Sequence, residues 1–314
     1  GVLQKALRRH PQVLGLKVDK QMKVVEYLRG ECGMRETHVS DMVARSPSIL
    51  GLSVSRKIAP TVEFLVTEVG VPKSKLKAVL SRSPQILSLS LNATLRKRVE
   101  FLRDEVGIPS SKLSRVITRD PSLLTYTPAK CRSNIQHLAS TTNMTQQDLA
   151  KAILKCPSLL LSDMPLRLSP LITFLTKEAG VPPSKMASLL TKQPSLIASS
   201  IPSKLKPTLH WLRNTLKLSP TDVAKVIAAQ PAILSFSLRD NLEPKVLFLR
   251  DRLGVSFREA GQMVATFPSL LTLSSEHNIG PKLSVLVDEA GVPPATLIRS
   301  PQLLGYSLEG RIVP

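Results

Sequence analysis

Arg9, Arg45, Arg82, Arg119, Lys155, Lys192 and Arg299 each stand two residues before a proline in this 314-residue chain. Nine prolines share that setting, and only Ala229 and Thr266 break the basic column ahead of them. A second column follows the same prolines: Lys20, Lys57, Lys130, Arg167, Lys204 and Arg311, fading after Lys204 where Asn241 and Asn278 take its place. Rows of fixed cations at one spacing suit a ligand that presents anions at intervals, and phosphates above all. The bulk charge agrees: 43 Lys and Arg stand against 23 Asp and Glu, a formal net charge of +20. Such a balance favours a polyanionic partner and leaves the fold open.

Other chemistry finds no footing. The G-x-S-x-G, H-E-x-x-H and P-loop patterns are missing. Cys32, Cys131 and Cys156 lie far apart with no C-x-x-C pair, which predicts neither a disulfide framework nor a zinc site and fits a reducing compartment. The five histidines are scattered, and His137 and His210 are read as surface or packing residues. No enzyme activity, cofactor or metal is expected. No apolar run is long enough to span a bilayer, so no membrane partner is expected either. The chain opens on Gly1 rather than Met, so any targeting segment is expected to be missing from it already.

The prolines that mark the columns also mark an internal repeat. Pro-x-aliphatic-aliphatic occurs at Pro11, Pro47, Pro84, Pro121, Pro157, Pro194, Pro231, Pro268 and Pro301, at intervals of 36, 37, 37, 36, 37, 37, 37 and 33 residues. A second motif keeps the same step: an aromatic residue and Leu, followed by Gly, as in Phe64-Leu65 with Gly70 and Phe101-Leu102 with Gly107. Two interleaved motifs with one period define a repeat protein. Within a unit, Val62, Phe64, Leu65 and Val69 fall at helical spacing, with Pro60 suited to a first helical turn and Gly70 to a left-handed helix end. Ser74 is a candidate N-cap for a second helix carrying Leu76, Val79 and Leu80, which Pro84 stops. Ile86 and Leu87 then form a short 3₁₀ turn that plugs between the helices.

The fold class expected is therefore all-α: a superhelical solenoid of about eight repeats of some 37 residues, each two α-helices plus a short 3₁₀ turn. Residues 1–314 form one domain in this reading, with repeats cut at both termini. The chain would start inside a second helix, residues 2–9, and Pro314 would fall where Pro60 falls in an earlier unit. Four residues are lost before Pro301, so the last repeat is expected to be distorted or to act as a cap.

These motifs resemble the repeat of the mitochondrial transcription termination factor (mTERF) family. The stretch SPSILGLSVSRKIAPTVEFLVTEVGVP carries both halves of the signature, and the resemblance runs over essentially the whole chain. It implies an organellar protein of plant or algal type, in the mitochondrion or alternatively the chloroplast, with a curved superhelix and a basic concave groove. It implies binding of double-stranded DNA, as a monomer on nucleic acid, to terminate or regulate transcription. Other members serve RNA splicing or ribosome assembly, so an RNA-binding factor is the alternative, and a protein-interaction scaffold the second. Nucleic-acid-binding members place backbone-contacting arginines at the step before the proline. Some add an Arg five residues after it; here those positions are Leu16, Leu52, Leu89, Tyr126 and Leu273.

Helix electrostatics weighs the two columns differently. A cation in the last turn of a helix gains about 0.3–1 kcal/mol from the helix dipole, so the first column could serve the fold alone. The second column is expected just ahead of a helix N-terminus, where the dipole opposes a cation and acids are favoured. Its recurrence there points to an external anion. Acids gather on the first helix instead, at Glu63, Glu68, Glu100, Asp104 and Glu105 among others, which would leave one basic face and one acidic or neutral one. Of eleven aromatic residues, Tyr27, Phe64, Phe101, Phe174, Trp211 and Phe248 share one core position. Single-strand binders stack bases on exposed rings, so this usage favours a duplex.

The register makes one direct demand on the core. Leu50, Leu87, Leu124, Leu160 and Leu234, three residues after their prolines, should be buried, and truncating one to Ala should cost about 2–5 kcal/mol in chemical denaturation. Losses below about half a kcal/mol at several of these sites would mean that the register is wrong.

Overall fold

The computed structural model describes residue 12 and residues 15–312; Arg9, Pro11, the expected first helix at 2–9 and Pro314 lie outside the described residues. Every regular element among them is helical, with no strand. Backbone contacts group the chain into two units, Gly1–His137 with Leu149–Ser162, and Leu138–Asp148 with Asp163–Pro314.

In the first unit each described proline of the Pro-x-aliphatic-aliphatic motif opens a 3₁₀ turn: Pro47–Gly51, Pro84–Ser88, Pro121–Leu124 and Pro157–Leu161. The pyrrolidine ring drives the preceding residue out of the helical region, so Ser46 adopts φ −144° and ψ 69° and the incoming helix ends there. Leu50, Leu87, Leu124 and Leu160 are all buried, as the register demands, and Ile49 and Ile86 beside them are fully enclosed.

The first helix of each repeat begins earlier than Pro60 suggests. Ser53 caps it six residues after Pro47, its hydroxyl accepting the Arg56 N–H at 3.2 Å, and Ser90 does the same for Ala93. The opening turn is wide: Ile58 N–H reaches back five residues to the Ser53 carbonyl at 3.1 Å, and Leu95 to Ser90 at 3.0 Å. Widening turns Ile58 and Leu95 into the core, both with no exposed surface. An α-helix follows at Ala59–Thr67, so Pro60 sits in the second turn rather than at the helix start. The sequence does carry the missed signal, a Ser, Thr or Asp six residues after each proline from Pro47 to Pro301.

Those first helices end in left-handed residues. Gly33, Gly70 and Gly107 have φ of 63°, 78° and 81°, and Val71 N–H then closes on the Leu65 carbonyl at 2.8 Å. The second helices Lys73–Arg82 and Ser110–Arg119 start directly after Pro72 and Pro109 with no side-chain cap, so Ser74 lies inside the first turn instead of capping it.

The second unit repeats this plan. Its turns are Pro194–Ala198, Pro231–Ser235, Pro268–Thr272 and Pro301–Gly305, with Leu234 fully buried. Ser200, Ser237 and Ser274 cap wide turns that bury Leu205, Leu242 and Ile279. Second helices run Pro220–Ala229 and Phe257–Thr266, the latter opened by a reciprocal capping box between Ser256 and Glu259. The last second helix is cut to Pro294–Arg299, which accounts for the short final interval.

The glycine step has two substitutes that the sequence motif hides. Asn143 and Lys217 hold φ of 56° where the period places the helix-ending glycine. Asn tolerates this conformation; a Lys there carries strain on the order of 1 kcal/mol. Lys217→Gly should therefore raise stability by about 0.5–1 kcal/mol, because lost strain outweighs the added freedom of the unfolded glycine. Urea denaturation would read it, and an unchanged or lower midpoint would refute the assignment of Lys217 as a helix end.

Candidate nucleic-acid interface

The first basic column ends the second helices. Arg45, Arg82, Arg119 and Lys155 are each the last residue of a helix in the first unit, as Lys192 and Arg299 are in the second, and all six are exposed. Their partners are not the carbonyls of their own helix end alone. Arg45 donates to the Ser81 carbonyl, Arg82 Nη1 to the Arg119 carbonyl at 2.8 Å, and Lys192 Nζ to the Ala229 carbonyl at 3.2 Å. Each thus reaches the end of the next repeat's second helix, 36 or 37 residues on, and meets carbonyls that no intrahelical N–H can satisfy. The column is an inter-repeat staple as well as a row of charge. A hydrogen bond to a neutral carbonyl leaves the guanidinium charge uncompensated, so the two roles coexist at Arg82. Arg119 and Arg299 are exposed with no side-chain partner among the described residues.

The second column lies within the first turn of the first helices rather than ahead of them: Lys20 in Val18–Gly30, Lys57 in Val54–Ile58, Lys130 in Pro128–Thr142, Arg167 in Met164–Thr173, Lys204 in Ile201–Leu205 and Arg311 in Leu308–Ile312. The dipole argument survives this shift, since the first turn is still the positive end of the helix. Lys20, Lys130, Arg167 and Arg311 are exposed, and Lys204 is half-buried. Lys57 departs from the expectation: its ammonium turns inward to the Leu89 carbonyl at 2.5 Å. Arg311 lies over the Tyr306 ring, 5.4 Å from its centre. Because the short 3₁₀ turn joins the end of one second helix to the next first helix, the two columns flank the same turns within each unit.

A third set of donors escaped sequence reasoning. Arg98 donates to the Leu124 carbonyl, and Asn134 Nδ2 to the Leu160 and Ser162 carbonyls at 2.8 and 2.7 Å. Lys245 and Lys282 reach the Leu271 and Leu304 carbonyls, both at 2.8 Å. All of these acceptors belong to the next repeat's proline turn except Ser162, which directly follows its turn. The two lysines also hold Asn241 Oδ1 at 3.0 Å and Asn278 Oδ1 at 2.7 Å, so the asparagines that interrupt the second column are the partners of inward lysines. Burial lowers the pKa of both ammonium groups, and that of the Arg98 guanidinium. The signal was a Lys or Arg fourteen residues after Pro84, Pro231 and Pro268, which sequence alone does not separate from other basic residues of the first helix.

The acids of the first helix are partly consumed between repeats. Glu68 pairs with Arg96, Glu105 with Arg132 at 2.6 Å, Glu178 with Lys206 at 3.1 Å and Asp288 with Arg252 at 2.7 Å. The hydrogen bonds from Arg132 hold the Glu105 carboxyl below the usual range. Part of the expected acidic face is thus taken up in inter-repeat ion pairs near the first-helix ends, while Glu63 and Glu100 form none among the described residues. Burial pushes the Cys32 thiol up to about 11 and raises that of Cys131, so neither offers a ready thiolate. No group of His, Cys, Asp and Glu suited to a metal occurs among the described residues. No described helix is long and apolar enough to cross a membrane.

Stacked helix pairs and proline-led 3₁₀ turns, with cations flanking those turns, define an all-helical repeat protein. The mTERF family profile matches residues 2–188 and 172–314, and the chain belongs to that family. The family is one of organellar nucleic-acid-binding proteins. No curated protein matches the chain.

Arg82 tests the double role of the first column. Arg82→Ala should lower stability by about 0.5–1.5 kcal/mol through loss of the inter-repeat hydrogen bond. Arg119→Ala, with no such bond, should stay within about half a kcal/mol of the parent. Equal losses in thermal melts of the two variants would remove the staple from the account.

Proposed function

We propose that this protein binds double-stranded DNA in an organelle and regulates transcription there, as a roadblock to an organellar RNA polymerase. The observation that carries this reading is the row of exposed cations at the second-helix ends. There Arg82 holds only a neutral carbonyl, and the Arg119 side chain holds nothing among the described residues. Phosphates neutralise such charges and release counterions, whatever the base sequence. The protein acts as a monomer on nucleic acid in this reading, with no chemical step. Its compartment is the mitochondrion, with the chloroplast as the alternative.

Aromatic placement supports a duplex over a single strand. Phe64, Phe101, Phe174 and Trp211 are buried, and Tyr27 and Phe248 half-buried. Phe236 lies under Lys245, Phe257 under Arg250 and Tyr306 under Arg311, which leaves Tyr126 as the exposed ring without a cation over it. One open ring is poor equipment for stacking successive bases.

Competition among matched duplex DNA, duplex RNA and unpaired strands, at one ionic strength, tests the reading. Duplex DNA should win. The slope of log K against log salt should lie between about −5 and −9, as expected if roughly six to ten cations meet phosphates. Tighter binding to RNA would replace it with a role in splicing or ribosome assembly, and no salt dependence would leave a protein scaffold.

A further inference from the structure

The positive charge of this chain is not spread along it. Residues 1–230 contain 35 Lys and Arg and 15 Asp and Glu, while residues 231–314 contain eight of each. The whole net charge of +20 therefore belongs to the first 230 residues. Both basic columns fail across this boundary: Ala229 and Thr266 interrupt the first, Asn241 and Asn278 the second.

The structure shows where the cations of these repeats have gone. Lys245 and Lys282 point inward, each held by an asparagine side chain and by a carbonyl of the next turn, and Lys282 is only 5% exposed. Arg252 is bound to Asp288, and Arg250 stacks on Phe257 at 4.4 Å. Of the remaining exposed cations, Arg239 stands next to Asp240 and Arg258 next to Glu259 in sequence, while Arg299 and Arg311 have no adjacent acid. Glu259 is itself held as the carboxylate by the Ser256 N–H and hydroxyl. Asparagine in the first turn of the helix thus does two things at once: it removes a surface charge and supplies the acceptor for a lysine one turn on. The same exchange in two consecutive repeats converts a phosphate-facing pattern into a self-satisfied one.

We infer that the phosphate-contacting surface ends at Lys204, and that residues 231–312 form an electroneutral segment that makes no phosphate contacts, Arg299 and Arg311 included. This rests on the nucleic-acid reading above and narrows it, since a neutral surface has no counterions to exchange for phosphates. Arg299 terminates its helix with no following second helix among the described residues to staple, and Arg311 lies over the Tyr306 ring.

Three double variants of the full chain decide the matter: Arg167→Ala with Lys204→Ala, Arg239→Ala with Arg258→Ala, and Arg299→Ala with Arg311→Ala. Each is titrated by fluorescence anisotropy against labelled duplex DNA, duplex RNA and heparin at several salt concentrations, after a melt confirms its fold. The first variant should flatten the salt slope on DNA by about two. It should also elute from heparin at lower salt than the parent. The other two should keep the parent slope, with affinity within a factor of about two of it. A comparable flattening by either C-terminal variant would overturn the inference. If the parent prefers RNA, the DNA reading falls, yet the same comparison on duplex RNA still locates the end of the surface. A parent that binds no polyanion would overturn both.

Discussion

A proline that ends a helix strands the backbone oxygens behind it, and this protein does so in every described repeat. The ring of Pro84 or Pro121 denies the second helix its continuation, so the last carbonyls of that helix and those of the 3₁₀ turn have no intrahelical donor. Water serves those at the surface. Those facing the stack need a donor, and the preceding repeat provides one on a side chain, Arg98, Asn134, Lys245 and Lys282 to the turns, while Arg45 and Arg82 reach the helix ends at the surface. Leaving such an oxygen buried and unpaired costs about 1–3 kcal/mol. The repeats are therefore joined by hydrogen bonds that a single repeat could not make, in addition to the apolar layer that it could not bury.

This requirement explains why basic residues recur without each being a ligand contact. One chemical type meets two needs, because a guanidinium or ammonium can span the gap to a neighbouring turn and still carry charge. Depth separates the needs. At Lys282 the ammonium is enclosed, its pKa is lowered by burial and two acceptors hold it. At Arg82 the group is exposed, so the carbonyl positions the charge without cancelling it. Preorganised cations of the second kind lose less side-chain entropy on meeting a phosphate.

Much of the fold is legible in the sequence because the repeat prints its own register. The Pro-x-aliphatic-aliphatic step and the aromatic-Leu-Gly step recur at one period, and local physics assigns each to a turn or a helix end. The shortened last helix at Pro294–Arg299 follows from one interval of 33. Less legible were positions where a local rule was met by an unusual residue. Lys217 ends a helix in a conformation that favours glycine, and a serine cap six residues after the proline moves the first helix ahead of Pro60.

The sequence by itself determined the helical repeat, its boundaries and the columns of charge, because helix-breaking prolines, helix-ending glycines and apolar spacing act within a few residues of where they stand. Only the tertiary structure decided which cations face outward. Lys57 and Lys204 occupy one repeat position, yet the first is turned onto the Leu89 carbonyl while Lys204 shows no such bond. The sequence does not separate Lys245 and Lys282 from the other basic residues of the first helix, and each is satisfied by an asparagine and a neighbouring turn. That choice depends on which unpaired carbonyl lies within reach in the next repeat, some 22 to 37 residues away along the chain, and a local pattern holds no record of that distance.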